Sequence, residues 1–158
     1  QVDFLEANPD YSFSFHDCTI LHESTKKKRL RIGERKIDET LDMKSVIISN
    51  NMPTASLVFR TMEWDKLPKW FFEITKGDDG FVVILAEQGR GKYFHEPMSV
   101  YRVHDGGVWS SQNLEYVYHQ DIVFYDHLLN YFEDLEVKNT VIQKINLKTY
   151  STIIFIQK

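Results

Sequence analysis

The segment from Gly77 to Gly89 constrains this chain most: Gly77-Asp78-Asp79 leads into Phe81 to Gln88 (FVVILAEQ), and Gly89 closes the run. Carboxylates at the start complement the positive end of a helix dipole, and a glycine just past the end suits a helix stop. The segment is therefore predicted to be an α-helix despite its two valines. Ahead of it, Tyr11 to Leu21 alternates, with Tyr11, Phe13 and Phe15 on one face and Ser12, Ser14 and His16 on the other, the period of a β-strand.

Other elements arrange themselves around these two. Residues 1 to 8 read as the last turns of a helix stopped by Pro9. Glu23 to Lys36 reads as an exposed loop or hairpin extension, and Ile37 to Ile48 has apolar residues at helical spacing. Ala55 to Phe59 is expected as a short buried strand, followed by an irregular aromatic segment from Met62 to Phe72. Lys92 to Phe94 and Met98 to Val103 read as two strands around His95-Glu96-Pro97, with a turn at Asp105-Gly106-Gly107. Ser110 or Ser111 is expected to cap a helix running to about Leu135, and a second helix begins near Val137. Strands and helices in this mixed order predict an α/β fold. Residues 1–110 are expected to form one part and 111–158 a helical extension. The few strands and the opening in mid-helix suggest a piece of something longer.

Composition narrows the function. A formal charge of −4 and a pI near 5.9 argue against a nucleic-acid binder, which needs a basic face to neutralise phosphates. The basic cluster Lys26 to Arg31, extended by Arg35 and Lys36, reads as a solvated loop or as a surface near anionic headgroups. Cys18 is the single cysteine, which excludes an internal disulfide and suits a reducing, cytoplasmic compartment. No stretch approaches the roughly 20 apolar residues of a membrane-spanning helix.

Chemistry concentrates between Asn51 and Ser111. Asp78 and Asp79 fall at a helix start, while Tyr101, Arg102 and His104 fall at the end of a later strand. An ionised carboxylate at a helix N-terminus serves either as a cap or as a general base toward a hydroxyl within hydrogen-bond reach. His104 beside Asp105 reads either as a metal or phosphate ligand or as a locally bonded strand-end histidine. His16 beside Asp17 and His22 stand too isolated to assign, and His119 and His127 read as ordinary helix residues.

The stretch carries Thr54, Ser56, Phe59-Arg60, Leu67-Pro68-Lys69-Trp70, Gly77-Asp78 and Ala86-Glu87-Gln88-Gly89. It continues with Glu96-Pro97-Met98-Ser99-Val100-Tyr101-Arg102-Val103-His104 and Gly106-Gly107-Val108-Trp109-Ser110. This order of motifs resembles the second half of family 2 glycosyltransferases of the GT-A fold, especially bacterial polysaccharide-building members. The resemblance implies an inverting transfer of a sugar from a nucleotide-diphospho-sugar to a hydroxyl of a saccharide or lipid-linked acceptor. It implies that Asp78, or Asp79 beside it, is the base, and that His104 lies near the diphosphate or its divalent Mn or Mg. It places Arg102, Trp70, Arg60 and Trp109 among the substrate-binding residues, with Phe71 in the acceptor wall. The family's N-terminal nucleotide-binding strands and metal-binding Asp-x-Asp are missing from these residues, so the chain is expected to bind donor weakly by itself. Peripheral membrane association is a further expectation. The alternative is a non-catalytic carbohydrate-binding or protein-interaction module using the same aromatic residues.

Overall fold

The computed structural model describes all residues except 34–36, 50, 51, 108–111, 157 and 158, and the side chain of residue 156. In chain order the elements are α1 (Val2–Ala7), β1 (Tyr11–His22), β2 (Lys28–Leu30), β3 (Glu39–Leu41), α2 (Met43–Ser49), β4 (Val58–Phe59), α3 (Gly77–Gln88), β5 (Arg90–Val103), α4 (Leu114–Tyr131) and α5 (Leu135–Ile156). Single 3₁₀ turns at Thr54–Ser56, Trp64–Lys66 and Lys69–Phe72 fill the connection from α2 to α3. The mixed α/β class is as expected.

The sheet is mixed, in the order β2-β1-β5-β3, with β4 pairing the first half of β1 on the same edge that β2 occupies further along. Its spine is the parallel pair β1–β5, which runs from Tyr11 beside Arg90 to His22 beside Val103 with register shifts near Tyr11 and around Asp17. A parallel pair needs a crossover, and everything from Glu23 to Gly89 supplies it. Because parallel strands lie between layers, β1 is buried on both faces over most of its length, serines included. Ser12 satisfies its hydroxyl by donating to the Leu85 carbonyl (2.7 Å), and Ser14 accepts from Gln1 Nε2 (3.2 Å).

One core joins the sheet, α2, α3 and the two C-terminal helices, through Phe13, Phe15, Leu85, Tyr93, Phe124 and Val141 among others. The helices from Leu114 onward therefore share the interior of the sheet domain. Gly91 shows how tightly the spine is packed: a Cβ there would lie 2.3 Å from Cζ of the fully buried Phe13.

Four sequence expectations need correction. Ile37 to Ile48 is not one helix. Glu39–Leu41 is captured as an edge strand by the Gly91–Tyr93 stretch of β5, and α2 starts only at Met43, with Asp42 accepting from Ser45 N (2.8 Å). Ala55 to Phe59 is a 3₁₀ turn followed by a two-residue strand. The two strands around His95-Glu96-Pro97 are one, since β5 runs through that segment as an irregularity, with Phe94 beside His16 and Ser99 beside Cys18. Finally, α4 is capped by Asn113, whose side chain accepts from Tyr116 N (2.7 Å); Ser110 and Ser111 lie outside the described residues.

Replacing Gly91 by alanine should destabilise the chain by about 1–3 kcal/mol, because the buried Phe13 ring has no free space to yield into. Urea unfolding monitored by circular dichroism measures the shift.

Candidate active site

Helix α3 begins in the wall of a cleft of about 550 Å³, between the outer half of the sheet and the start of α4. Asp78, Asp79, Thr54 and Lys76 line one side, with Cys18, Ser99, Tyr101 and Arg31 across from them. Thr54 donates its hydroxyl to Asp78 Oδ2 (2.9 Å), the one hydrogen-bond partner of this carboxylate among the described residues. The dipole of α3 favours an anion at this end. Asp79 is engaged differently, 3.5 Å from the Lys76 ammonium.

Lys76 is the centre of a buried charge hub. It donates to Asp121 Oδ1 on α4, and Lys148 on α5 reaches the other oxygen, Oδ2, at 3.0 Å. The side chains of Lys76 and Asp121 are only 12% and 4% exposed. Burial works against the Lys76 charge, but the hydrogen bond to Asp121 and the fields of Asp79 and Asp121 outweigh it and raise its pKa above the ordinary lysine value. Close by, burial lowers the pKa of Lys144, with Lys148 adding to the effect, and Lys144 donates to the Ile48 carbonyl. The start of α3, and with it Asp78, is thus clamped to both C-terminal helices by charge.

Cys18 lies in the cleft wall, where burial pushes its pKa up against an opposing pull from Arg31, which favours the neutral thiol.

The other residues suggested by sequence are placed as follows. Trp70 is in the core, its ring against Phe124 (6.4 Å) and Tyr131 (5.6 Å), and its indole nitrogen has no partner among the described residues. Phe71 packs on Phe81 and Phe72. Neither borders the cleft, because the aromatic segment folds onto α3 and α4 as packing. Arg60 is also structural: its guanidinium caps the end of α1, donating to the carbonyls of Leu5 and Tyr11 (2.9 Å for the latter). Arg102 lies at the sheet's far end, paired with Glu23 through Nε at 2.7 Å. His104 follows β5 close enough for its charge to help lower the Glu23 pKa, behind the larger effect of the Arg102 hydrogen bond. Trp109 lies outside the described residues.

Among the described residues no three His, Cys, Asp or Glu side chains converge as a metal-holding group. Glu23, the carboxylate whose pKa the His104 charge helps lower, is already paired with the Arg102 guanidinium, so this pair of residues does not fit a divalent ion.

The hub was missed in sequence, yet its signal is there. Asp121 precedes Phe124, Tyr125 and Leu128 by three, four and seven residues, which puts a carboxylate on the buried stripe of α4. Lys144 and Lys148 likewise share a face of α5 with Val141 and Ile145.

No protein-family model, curated protein or solved structure matches this chain.

Asp121→Ala should destabilise the chain by about 3–5 kcal/mol, since it strands the buried Lys76 charge, whereas the pair Lys76→Met with Asp121→Leu should restore most of that loss. Chemical denaturation of the two variants beside the parent tests both halves. A raised lysine pKa also fixes the pH sign: the stabilisation is complete below the ordinary lysine value and drains away at more alkaline pH as the folded-state group deprotonates. Alkaline unfolding should therefore begin earlier in Asp121→Asn than in the parent.

Proposed function

We propose that this chain supplies the acceptor side of an inverting glycosyltransferase, with Asp78 as the general base. The observation that carries the reading is a cleft-lining carboxylate oriented by Thr54, with no second partner among the described residues, on a helix start held rigid by the Lys76–Asp121 hub. The ordered motifs around it, from Leu67-Pro68-Lys69-Trp70 to Tyr101-Arg102-Val103-His104, support the same reading.

On this reading a saccharide or lipid-linked acceptor enters the cleft with one hydroxyl within about 2.6–3.2 Å of Asp78. Asp78 takes the hydroxyl proton as the oxygen attacks the anomeric carbon. The bond from that carbon to the diphosphate breaks on the opposite side, the nucleoside diphosphate leaves with the electron pair, and configuration inverts. Thr54 fixes the carboxylate plane, so that the basic oxygen points at the acceptor without a search among rotamers. Tyr101 offers a ring at the cleft wall on which a sugar face can rest. Asp79, held by Lys76, contributes to the position of the helix start and not to proton transfer. The donor nucleotide and any divalent ion on it are then held by residues other than these.

Asp78→Asn should lower sugar transfer about 10²- to 10⁴-fold in the protein carrying this chain, with its unfolding midpoint essentially unchanged. Steady-state transfer assays paired with thermal unfolding test this. Transfer within a few-fold of the parent would remove Asp78 as the base. The chain by itself should show no micromolar affinity for a nucleotide-sugar by calorimetry, with or without manganese.

A further inference from the structure

The half of the sheet beyond the irregularity in β5 has a second face, where exposed side chains gather among the described residues. In register, Leu30 of β2, Thr19 of β1 and Val100 of β5 form one row, and Lys28, Leu21 and Arg102 form the next. Rows two residues apart along a strand share a face. These alternate with the rows holding Cys18 and Tyr101, which line the cleft. Val100 is 60% exposed and Met98, two residues before it, 54%; Leu30 is exposed as well. Val100 also borders the cleft, so the face and the candidate site adjoin.

Charge gathers at the same place. Lys26, Lys27, Lys28 and Arg29 are all exposed around the β1–β2 hairpin, and among the described residues no carboxylate forms an ion pair with any of them. The nearby Glu23 is already taken by Arg102. A chain with a net charge of −4 has therefore concentrated exposed positive charge on one hairpin. Exposed Leu30 follows these cations directly in β2 and shares a row with exposed Val100.

A second element points the same way. Thr149 of α5 is hydrogen-bonded to Tyr118 (2.9 Å), one residue from Val117 in the cleft wall. Beyond Thr149, helix α5 exposes Tyr150, Ile153 and Phe155. Among the described residues no helix is long and apolar enough to cross a membrane. What these features offer is cations on long flexible stems with exposed aliphatic groups among them. A polyphosphate strand would meet the cations alone, whereas the headgroup layer of an anionic bilayer accommodates both.

We propose that this apolar sheet face, centred on Lys28, Leu30 and Val100 and flanked by the hairpin cations Lys26, Lys27 and Arg29, docks the protein on the surface of a bilayer rich in anionic lipid. The inference is independent of the chemistry assigned to Asp78. It would bring the mouth of the cleft to the membrane surface, whatever that cleft binds.

Flotation of the 158-residue chain with vesicles tests it. Vesicles of phosphatidylcholine containing one-third phosphatidylglycerol should carry the chain upward at about 0.05 M salt and release it at about 0.5 M, where screening shortens the electrostatic reach. Pure phosphatidylcholine vesicles should leave it in solution. Each exposed cation near such a surface is worth roughly fivefold in partitioning, so the triple variant Lys26→Gln, Lys28→Gln, Arg29→Gln should bind roughly 100-fold more weakly. Val100→Ser should weaken binding several-fold while leaving its salt dependence in place. All four positions are exposed, and unchanged far-ultraviolet circular dichroism of the variants checks that folding is intact. Equal binding to neutral vesicles, parental binding by the triple variant, or displacement of the chain from anionic vesicles by a single-stranded oligonucleotide at the same salt would each overturn the proposal.

Discussion

The parallel pairing of β1 with β5 is the constraint from which the rest of the structure follows. Two parallel strands cannot be joined by a turn, so the chain between them must travel over a face of the sheet and return. That excursion carries β2, β3, α2, β4, the aromatic segment and α3, and it ends by delivering Gly89 and Gly91 against β1 with no room for a side chain. At Gly89 a Cβ would meet the Asp10 carbonyl oxygen at 2.9 Å, so the exit of α3 and the entry of β1 are held in backbone contact. The start of α3, twelve residues earlier, is thereby aimed at the outer half of the sheet.

A helix aimed in this way still needs its first turn fixed, and burial of apolar groups alone does not do that for two adjacent carboxylates. The hub of Lys76, Asp121 and Lys148 does. A buried charge pair is a weak source of net stability but a demanding one geometrically, because each partner must be met or the other is stranded. It couples α3, α4 and α5 at one point, and it sorts the two aspartates. Asp79 is drawn to Lys76, while Asp78 faces Thr54 and has no second partner among the described residues. The same point marks where the packed core ends and the exposed half of the sheet begins.

Much of this was legible in the residues. The period-2 run of β1, the acidic start and glycine stop of α3, and the turn at Asp105-Gly106 all stand where their local chemistry puts them. The misreadings share a cause, which is that distant partners decided the outcome. Glu39–Leu41 has no strand signature strong enough to stand out, and it becomes a strand because β5 offers an open edge. Pro97 looked like a break, but β5 absorbs it as an irregularity while staying paired to β1. Trp70 and Arg60 sat in motifs that suggested ligand contact. The structure uses Trp70 as core and Arg60 as a clasp on the end of α1, roles set by residues some 50 positions away and invisible to local pattern. Asp121 was the opposite case, a polar residue on an apolar stripe whose partners no spacing rule names.

The central claim is that the cleft over Asp78 receives a sugar hydroxyl. The most direct measurement is a nitrogen-15 NMR titration of the chain with saccharides of the kind found in surface polysaccharides. The account predicts that shift changes concentrate at Thr54, Lys76, Asp78, Asp79 and Tyr101, and that Asp78→Asn alters their pattern without abolishing the fold. Shift changes confined to the exposed end of α5 or the β1–β2 hairpin, with the cleft residues unmoved across all saccharides, would contradict it.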